Sequence, residues 1–78
     1  MPRYLCTKEV WAVKIQDIHE NRDHAVIVPE GNYGSFVVSL KYLRKHDPQP
    51  GGYFVRYKDG YQSFSPADAF EEGYRRVA

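Results

Sequence analysis

Residues 50–74 read PGGYFVRYKDGYQSFSPADAFEEGY, and this stretch decides the fold class. Gly51 and Gly52 release the chain into Tyr53-Phe54-Val55, Asp59-Gly60 marks a tight turn, and Tyr61 to Ser65 reads as a returning strand. An Asp-Gly turn twists the right way to join two right-handed strands, so a β-hairpin is predicted. With a two-residue loop, the favoured register, Val55 faces Phe64 and Tyr57 faces Gln62, and Tyr53, Val55, Tyr57 and Phe64 share a face. With Gly60 closing a three-residue loop through a bulge, Tyr57 faces Tyr61 instead. Ser65-Pro66 then signals a helix, with Ser65 as N-cap, Pro66 at the first helical position, Asp68 in the first turn and Gly73 at the end. Phe70 and Tyr74, four apart, are expected to pack together on the sheet. Arg75 to Ala78 either returns as a short strand through Val77 or frays.

Working outward from the hairpin, Glu9 to Ile18 alternates strictly, with Trp11, Val13 and Ile15 on one side and Val10, Ala12, Lys14 and Gln16 on the other. That is a long strand whose second side is partly covered or faces water. HENRDH is a polar hairpin tip. AVIV, residues 25–28, is a β-branched run and predicts a central strand antiparallel to the first. PEGNYG is a loop, SFVV is strand-like, and SLKYLRKH predicts a short helix capped by Ser39. Leu40 and Leu43 lie on one face of that helix, and Lys45 and His46 at its negative end. Pro48 and Pro50 stop it. The expected fold is a small α+β domain over residues 1–78: a twisted antiparallel sheet of about four or five strands, with two short helices on one face or at its ends. A small closed β-barrel is the alternative.

The segment Thr7-Lys8-Glu9-Val10-Trp11-Ala12-Val13-Lys14 and the block Pro50-Gly51-Gly52-Tyr53-Phe54-Val55, Asp59-Gly60-Tyr61, Ser65-Pro66 and Phe70 to Tyr74 form a pattern. It resembles small bacteriophage and prophage proteins that end in a PGDYIV-type strand, a DG turn, an SP or KP step and a helix closing in tyrosine. Gly52 stands where that pattern more often has an acidic residue, and residues 19–45 lie outside the resemblance. Such proteins are accessory gene products, so the resemblance implies a bacterial or phage setting and no mechanism.

Composition narrows the function. The 78 residues carry 11 basic and 10 acidic side chains, a net charge of +1. A protein gripping nucleic acid mainly through phosphate neutralisation needs a marked basic excess. The single cysteine, Cys6, forms no internal disulfide and reads as a half-buried small hydrophobe, which fits a reducing cytoplasm. No stretch reaches the roughly 20 apolar residues of a membrane helix, so a cytoplasmic protein of the bacterial host cell is expected, with no membrane partner.

No catalytic constellation emerges, and the chain is not expected to be an enzyme. His19, Glu20, Asp23 and His24 are imidazoles and carboxylates of metal-ligand type, but they sit on a polar tip where solvation is the expected role, and no metal or cofactor is predicted. Neither GNYG nor PGG has the lysine and strand-to-helix context of a phosphate loop.

Seven tyrosines and one tryptophan exceed what so small a core encloses. Exposed tyrosine offers large amphipathic area at modest entropic cost. The expected function is therefore a binding module, through protein–protein contact, self-association or capture of a host or defence factor. The candidate binding residues are Tyr33, Tyr42, Arg56, Lys58 and Tyr61. The alternatives are nucleotide or small-ligand binding, and single-stranded nucleic acid held by stacking on Tyr42, Tyr57 and Tyr61 plus the charges of Lys41, Arg44, Lys45, Arg56, Lys58, Arg75 and Arg76.

Overall fold

A computed structural model describes residues 1–5, 9–73 and 75–76, with the side chains of residues 4–5 and 75–76 excepted. The elements are β1 (Arg3–Leu5), β2 (Glu9–Glu20), β3 (His24–Pro29), β4 (Phe36–Ser39), α1 (Leu40–His46), β5 (Tyr53–Tyr57), β6 (Gln62–Ser65), α2 (Ala67–Gly73) and β7 (Arg75–Arg76). All strand pairs are antiparallel, and the α+β class follows. The five strands expected from the sequence are all present, the short return offered for Arg75 to Ala78 is there as β7 over Arg75–Arg76, and short β1 is added to them. Cys6, Tyr74 and Val77 lie outside the described residues, and with them the Phe70–Tyr74 pair and the expected return through Val77.

Strand β2 organises the molecule because it is long enough to serve two partners along one edge. The amide of Ala12 donates to the carbonyl of Pro2, and Lys14 accepts from the amide of Glu30. The N–H and C=O of one strand residue point the same way and alternate along the chain, so β1 and β3 lie end to end on that edge. The amides of Ile15 and Gly51 bond to Gly52 and Ile15 carbonyls, which puts β5 on the other edge. The sheet therefore runs β7-β1-β2-β5-β6 through the first half of β2 and β2-β3-β4 through the second. It is open: among the described residues no ladder joins its ends into a barrel.

A β-bulge makes this division workable. Ile15 pairs with Pro29 and Asp17 with Val28, so Gln16 is the extra residue. An inserted residue bends a strand and reverses which side its later residues face. Hence Val13, Ile15 and Ile18 all face one core, although strict alternation would turn Ile18 away.

The two helices cover opposite faces of the sheet, not one face or its ends. Val13, Ile15, Ala25, Ile27, Val38 and Phe54 form one buried cluster with Tyr42 of α1. Val10, Ala12, Tyr53 and Val55 form the other with Phe70 of α2. This explains why Tyr53-Phe54-Val55 is apolar without alternation: both of its faces are covered. Phe70 is stacked on Tyr53, with ring centroids 4.2 Å apart, and its burial holds α2 in place, because seven residues are too few for an isolated helix.

The hairpin takes the three-residue register. Tyr53 pairs with Ser65, Phe54 with Phe64, Val55 with Ser63 and Arg56 with Gln62. The amide of Tyr57 donates to the Tyr61 carbonyl at 2.8 Å, and that of Gly60 to the Tyr57 carbonyl at 2.9 Å. Gly60 has φ +93°, the left-handed backbone a bulge at this position requires. Phe64 therefore joins Phe54 on the α1 face, and Tyr53, Val55 and Tyr57 face α2. The start of α2 also shifts by one residue: the Pro66 carbonyl accepts from the Phe70 amide at 3.0 Å, which makes Pro66 the N-cap and Ala67 the first helical residue. Ser65 belongs to β6, and its hydroxyl donates to Pro66 O.

Candidate functional site

Helix α1 and the β5–β6 loop build the most structured part of the surface. Ser39 caps α1 as its sequence predicts, its hydroxyl accepting from the Tyr42 amide at 3.1 Å. Asp47 ends the helix in the left-handed region, at φ 45°, its amide bonded to the Leu43 carbonyl. Between these caps Lys41, Arg44 and Lys45 are exposed, and Tyr42 points inward.

Tyr42 was expected to be an exposed ring, and the structure corrects this. Only 5% of it is accessible, and it packs on Phe54 at a centroid distance of 5.5 Å. Its hydroxyl donates to the Ser63 carbonyl at 2.7 Å. Burial also pushes its phenol above the ordinary tyrosine range, so the hydroxyl keeps its proton. Leu43, not Tyr42, has the period that reads as core. Tyr42 is buried because it falls over the β5–β6 hairpin, a placement that helical spacing alone does not encode.

Tyr61 lies where the two elements meet and is 44% exposed. Its amide donates to Asp59 Oδ1 at 2.9 Å, which fixes the loop. Its ring stacks with Tyr57 at 5.7 Å, meets His46 edge-on at 6.0 Å, and has Lys45 Nζ 5.3 Å from its centroid. His46 is itself tilted against Tyr42 at 4.9 Å. Partial burial, and secondarily the charge of Lys45, lower the His46 pKa, so this imidazole is neutral at pH 7.

Two open grooves flank Tyr61. One, of about 320 Å³, is lined by Ser39, Lys41, Tyr42, Lys45, His46, Gly60, Tyr61 and Gln62. The other, of about 740 Å³, is lined by Glu9, Tyr57, Lys58, Asp59 and Tyr61. Of the candidate residues, the structure thus brings Lys58 and Tyr61 together. Arg56 is near them through its cross-strand partner Gln62, and its guanidinium lies 5.5 Å from the Trp11 ring. Tyr33 is 39% exposed and lines a separate groove with Met1, Pro29 and Phe36. His46 is the residue of this surface that the sequence reading left out, whereas Lys41 and Lys45, read there as part of a nucleic-acid face, line the groove beside Tyr61.

The polar tip has no ligand geometry. His19 sits 3.4 Å from Asp17, and the His24 ring bonds the Asn21 side chain at 3.0 Å. Among the described residues no group of histidine, cysteine, aspartate and glutamate is arranged to hold a metal ion, and no helix is long and apolar enough to cross a membrane.

No protein-family model matches the sequence, and no curated protein matches it. Among solved structures the chain is similar to the monomeric form of the phage L decoration protein, determined in solution by NMR. The TM-score is 0.72 and the identity 28%, over 94% of this chain and 57% of that one. The neighbour is a phage protein. At that level it agrees with the resemblance read from the sequence. This chain spans just over half the length of that protein.

Proposed function

We propose that this chain is a phage structural accessory protein that acts by binding, as the folded body of a protein that attaches to the outside of an assembled phage shell. The reading is carried by the likeness to the phage L decoration protein, which is a shared fold at 28% identity across nearly the whole of this chain. The surface around Tyr61 supports it, since a half-exposed tyrosine ring held in place by its neighbours is the kind of anchor protein interfaces are enriched in. In this reading Tyr33, Arg56, Lys58 and Tyr61 contact the partner, and the protein folds in the cytoplasm of a bacterial host before it meets the shell. The role is that of a structural component, not a catalyst.

Co-sedimentation tests the proposal. The purified chain is expected to sediment with intact phage heads up to a fixed ratio per head, and to stay in solution with unassembled coat subunits. Failure to sediment with heads at any salt concentration would remove shell attachment as the function.

A further inference from the structure

The two helices of this nearly neutral chain carry opposite charge. Helix α1 carries Lys41, Arg44 and Lys45 and no acid, whereas α2 carries Asp68, Glu71 and Glu72 and no base. Because the helices cover opposite sides of the sheet, their exposed surfaces are opposite in sign, with Lys14 of β2 set against Glu71 on the α2 side at 3.6 Å. A net charge of +1 conceals this division.

The cations of the positive side are also unneutralised. Among the described residues Lys41, Arg44, Lys45 and Lys58 have no ion-pair partner. The acids closest to them in the chain are otherwise engaged: Asp59 accepts from the Tyr61 amide and Asp47 from the Gln49 side chain. Across the groove of about 320 Å³, Lys41 and Lys45 stand one helical turn apart facing Tyr61 and Gln62, with the Ser39 hydroxyl at one end. Among the described residues no carboxylate lines it.

We infer that this groove is a docking site for an acidic segment of a partner protein, with carboxylates held between Lys41 and Lys45 beside Gln62. The inference deepens the proposed attachment to a protein shell and rests on that reading. Charge complementarity decides the chemistry of the occupant: two ammonium groups one turn apart, neither with a carboxylate partner among the described residues, beside an amide and a hydroxyl, match carboxylates spaced along a chain. The geometry of Tyr61 favours peptide over nucleic acid. Its ring is already engaged by Tyr57, Lys45 and His46, so it is a poor platform for the base stacking that single-stranded binding needs.

The test uses the intact chain and defined probes, and does not need the shell. Amide shifts are followed by NMR during titration with a short glutamate-rich peptide, with an oligothymidylate of equal charge, and with added unlabelled chain. The expected result is a salt-sensitive shift at Lys41, Lys45, Gly60, Tyr61 and Gln62 with the peptide. Affinity should be about tenfold weaker in Lys41→Glu/Lys45→Glu and in the milder Lys41→Gln/Lys45→Gln, and within about twofold of the parent in Glu72→Lys. Tighter binding of the oligothymidylate would overturn the proposal in favour of nucleic acid. Shifts at the same amides with unlabelled chain, lost in Glu72→Lys, would make a second copy the occupant. Absence of shifts with the peptide would overturn the site even if the chain sediments with phage heads.

Discussion

Tyr42 shows how a single polar atom can be worth more inside this protein than its surface chemistry outside. The ring fills the core below α1, and the hydroxyl satisfies a carbonyl at the edge of the β5–β6 hairpin. Tyr42→Phe keeps the ring and deletes the bond, so it should cost about 0.5–1.5 kcal/mol in chemical denaturation. An unchanged unfolding midpoint would mean that water replaces the phenol at Ser63. Gly52 is the opposite case, a site where nothing can be added. A Cβ there would overlap the Phe64 ring and lie 3.0 Å from the Ser65 carbonyl oxygen. Gly52→Ala is therefore expected to cost about 1–3 kcal/mol through overpacking, read as a lower thermal midpoint. This also accounts for a departure noted in the sequence: an acidic side chain at this position would collide with Phe64. His46 gives a residue-scale pH dependence. Its folded pKa is lowered while its unfolded value stays near the ordinary 6.5, so the unfolded state binds more protons as pH falls. The stability it contributes is complete above pH about 6.5 and is lost as the pH drops from there through the folded value. Replacing His46 by Asn should flatten that part of the curve of stability against pH, and an unaltered curve would show that another group is responsible.

Among the elements, what was legible in the sequence was whatever local chemistry dictates. The Ser39 cap, the strands of residues 9–18, 25–28, 36–38 and 53–57, and the Asp-Gly hairpin all follow from cap, period and turn signals, and they are where those signals put them. What was not legible depends on partners distant in the chain. Strand β1 has three residues, too short to carry a period, and it exists because the first half of β2 offers an edge, while the two-residue β7, a return that the sequence left open against fraying, is fixed by pairing with β1. The bulge at Gln16 leaves no mark in an alternating run, since it exists to let β2 bend from β1 to β3. The hairpin register depends on Gly60 adopting a left-handed backbone, which an Asp-Gly pair permits in either register. Of the candidate site, Tyr61 and Lys58 were readable as exposed residues flanking a turn. Their meeting with Lys45 and His46 was not, because only the packing of α1 against β6 creates it. The three-residue register makes a prediction of its own. Gly60→Ala forces a side chain into a left-handed backbone and should destabilise by about 1 kcal/mol, whereas Asp59→Ala should loosen Tyr61 by removing the acceptor of its amide. Faster amide exchange at Tyr61 in Asp59→Ala is the expected signature.

At the scale of the whole molecule, the two cores share their walls. Strand β5 buries Phe54 on the α1 side and Tyr53 and Val55 on the α2 side, and β2 does the same with Val13 against Val10 and Ala12. Neither core can lose its order without moving a strand that the other needs, so the domain should unfold as one unit although it has two clusters and two helices. A domain of 78 residues has a stability of roughly 4–12 kcal/mol by the usual 0.05–0.15 kcal/mol per residue. Phe70 is 1% exposed and holds α2 by its stack on Tyr53. Phe70→Ala should cost about 3–5 kcal/mol, which is a large fraction of that total from one side of the sheet. The loss should nevertheless appear on the other side. Trp11 lies on the α1 face beside Arg56, across the sheet from Phe70, so its fluorescence reports the opposite face of the sheet. In the parent, and in Phe70→Ala if it still folds, the transitions followed by Trp11 fluorescence and by far-ultraviolet circular dichroism should coincide and move together to lower denaturant. If Trp11 kept its native signal after the α2 side had melted, the two cores would be separate folding units. The opposed charges of the two helices would then belong to parts able to move independently.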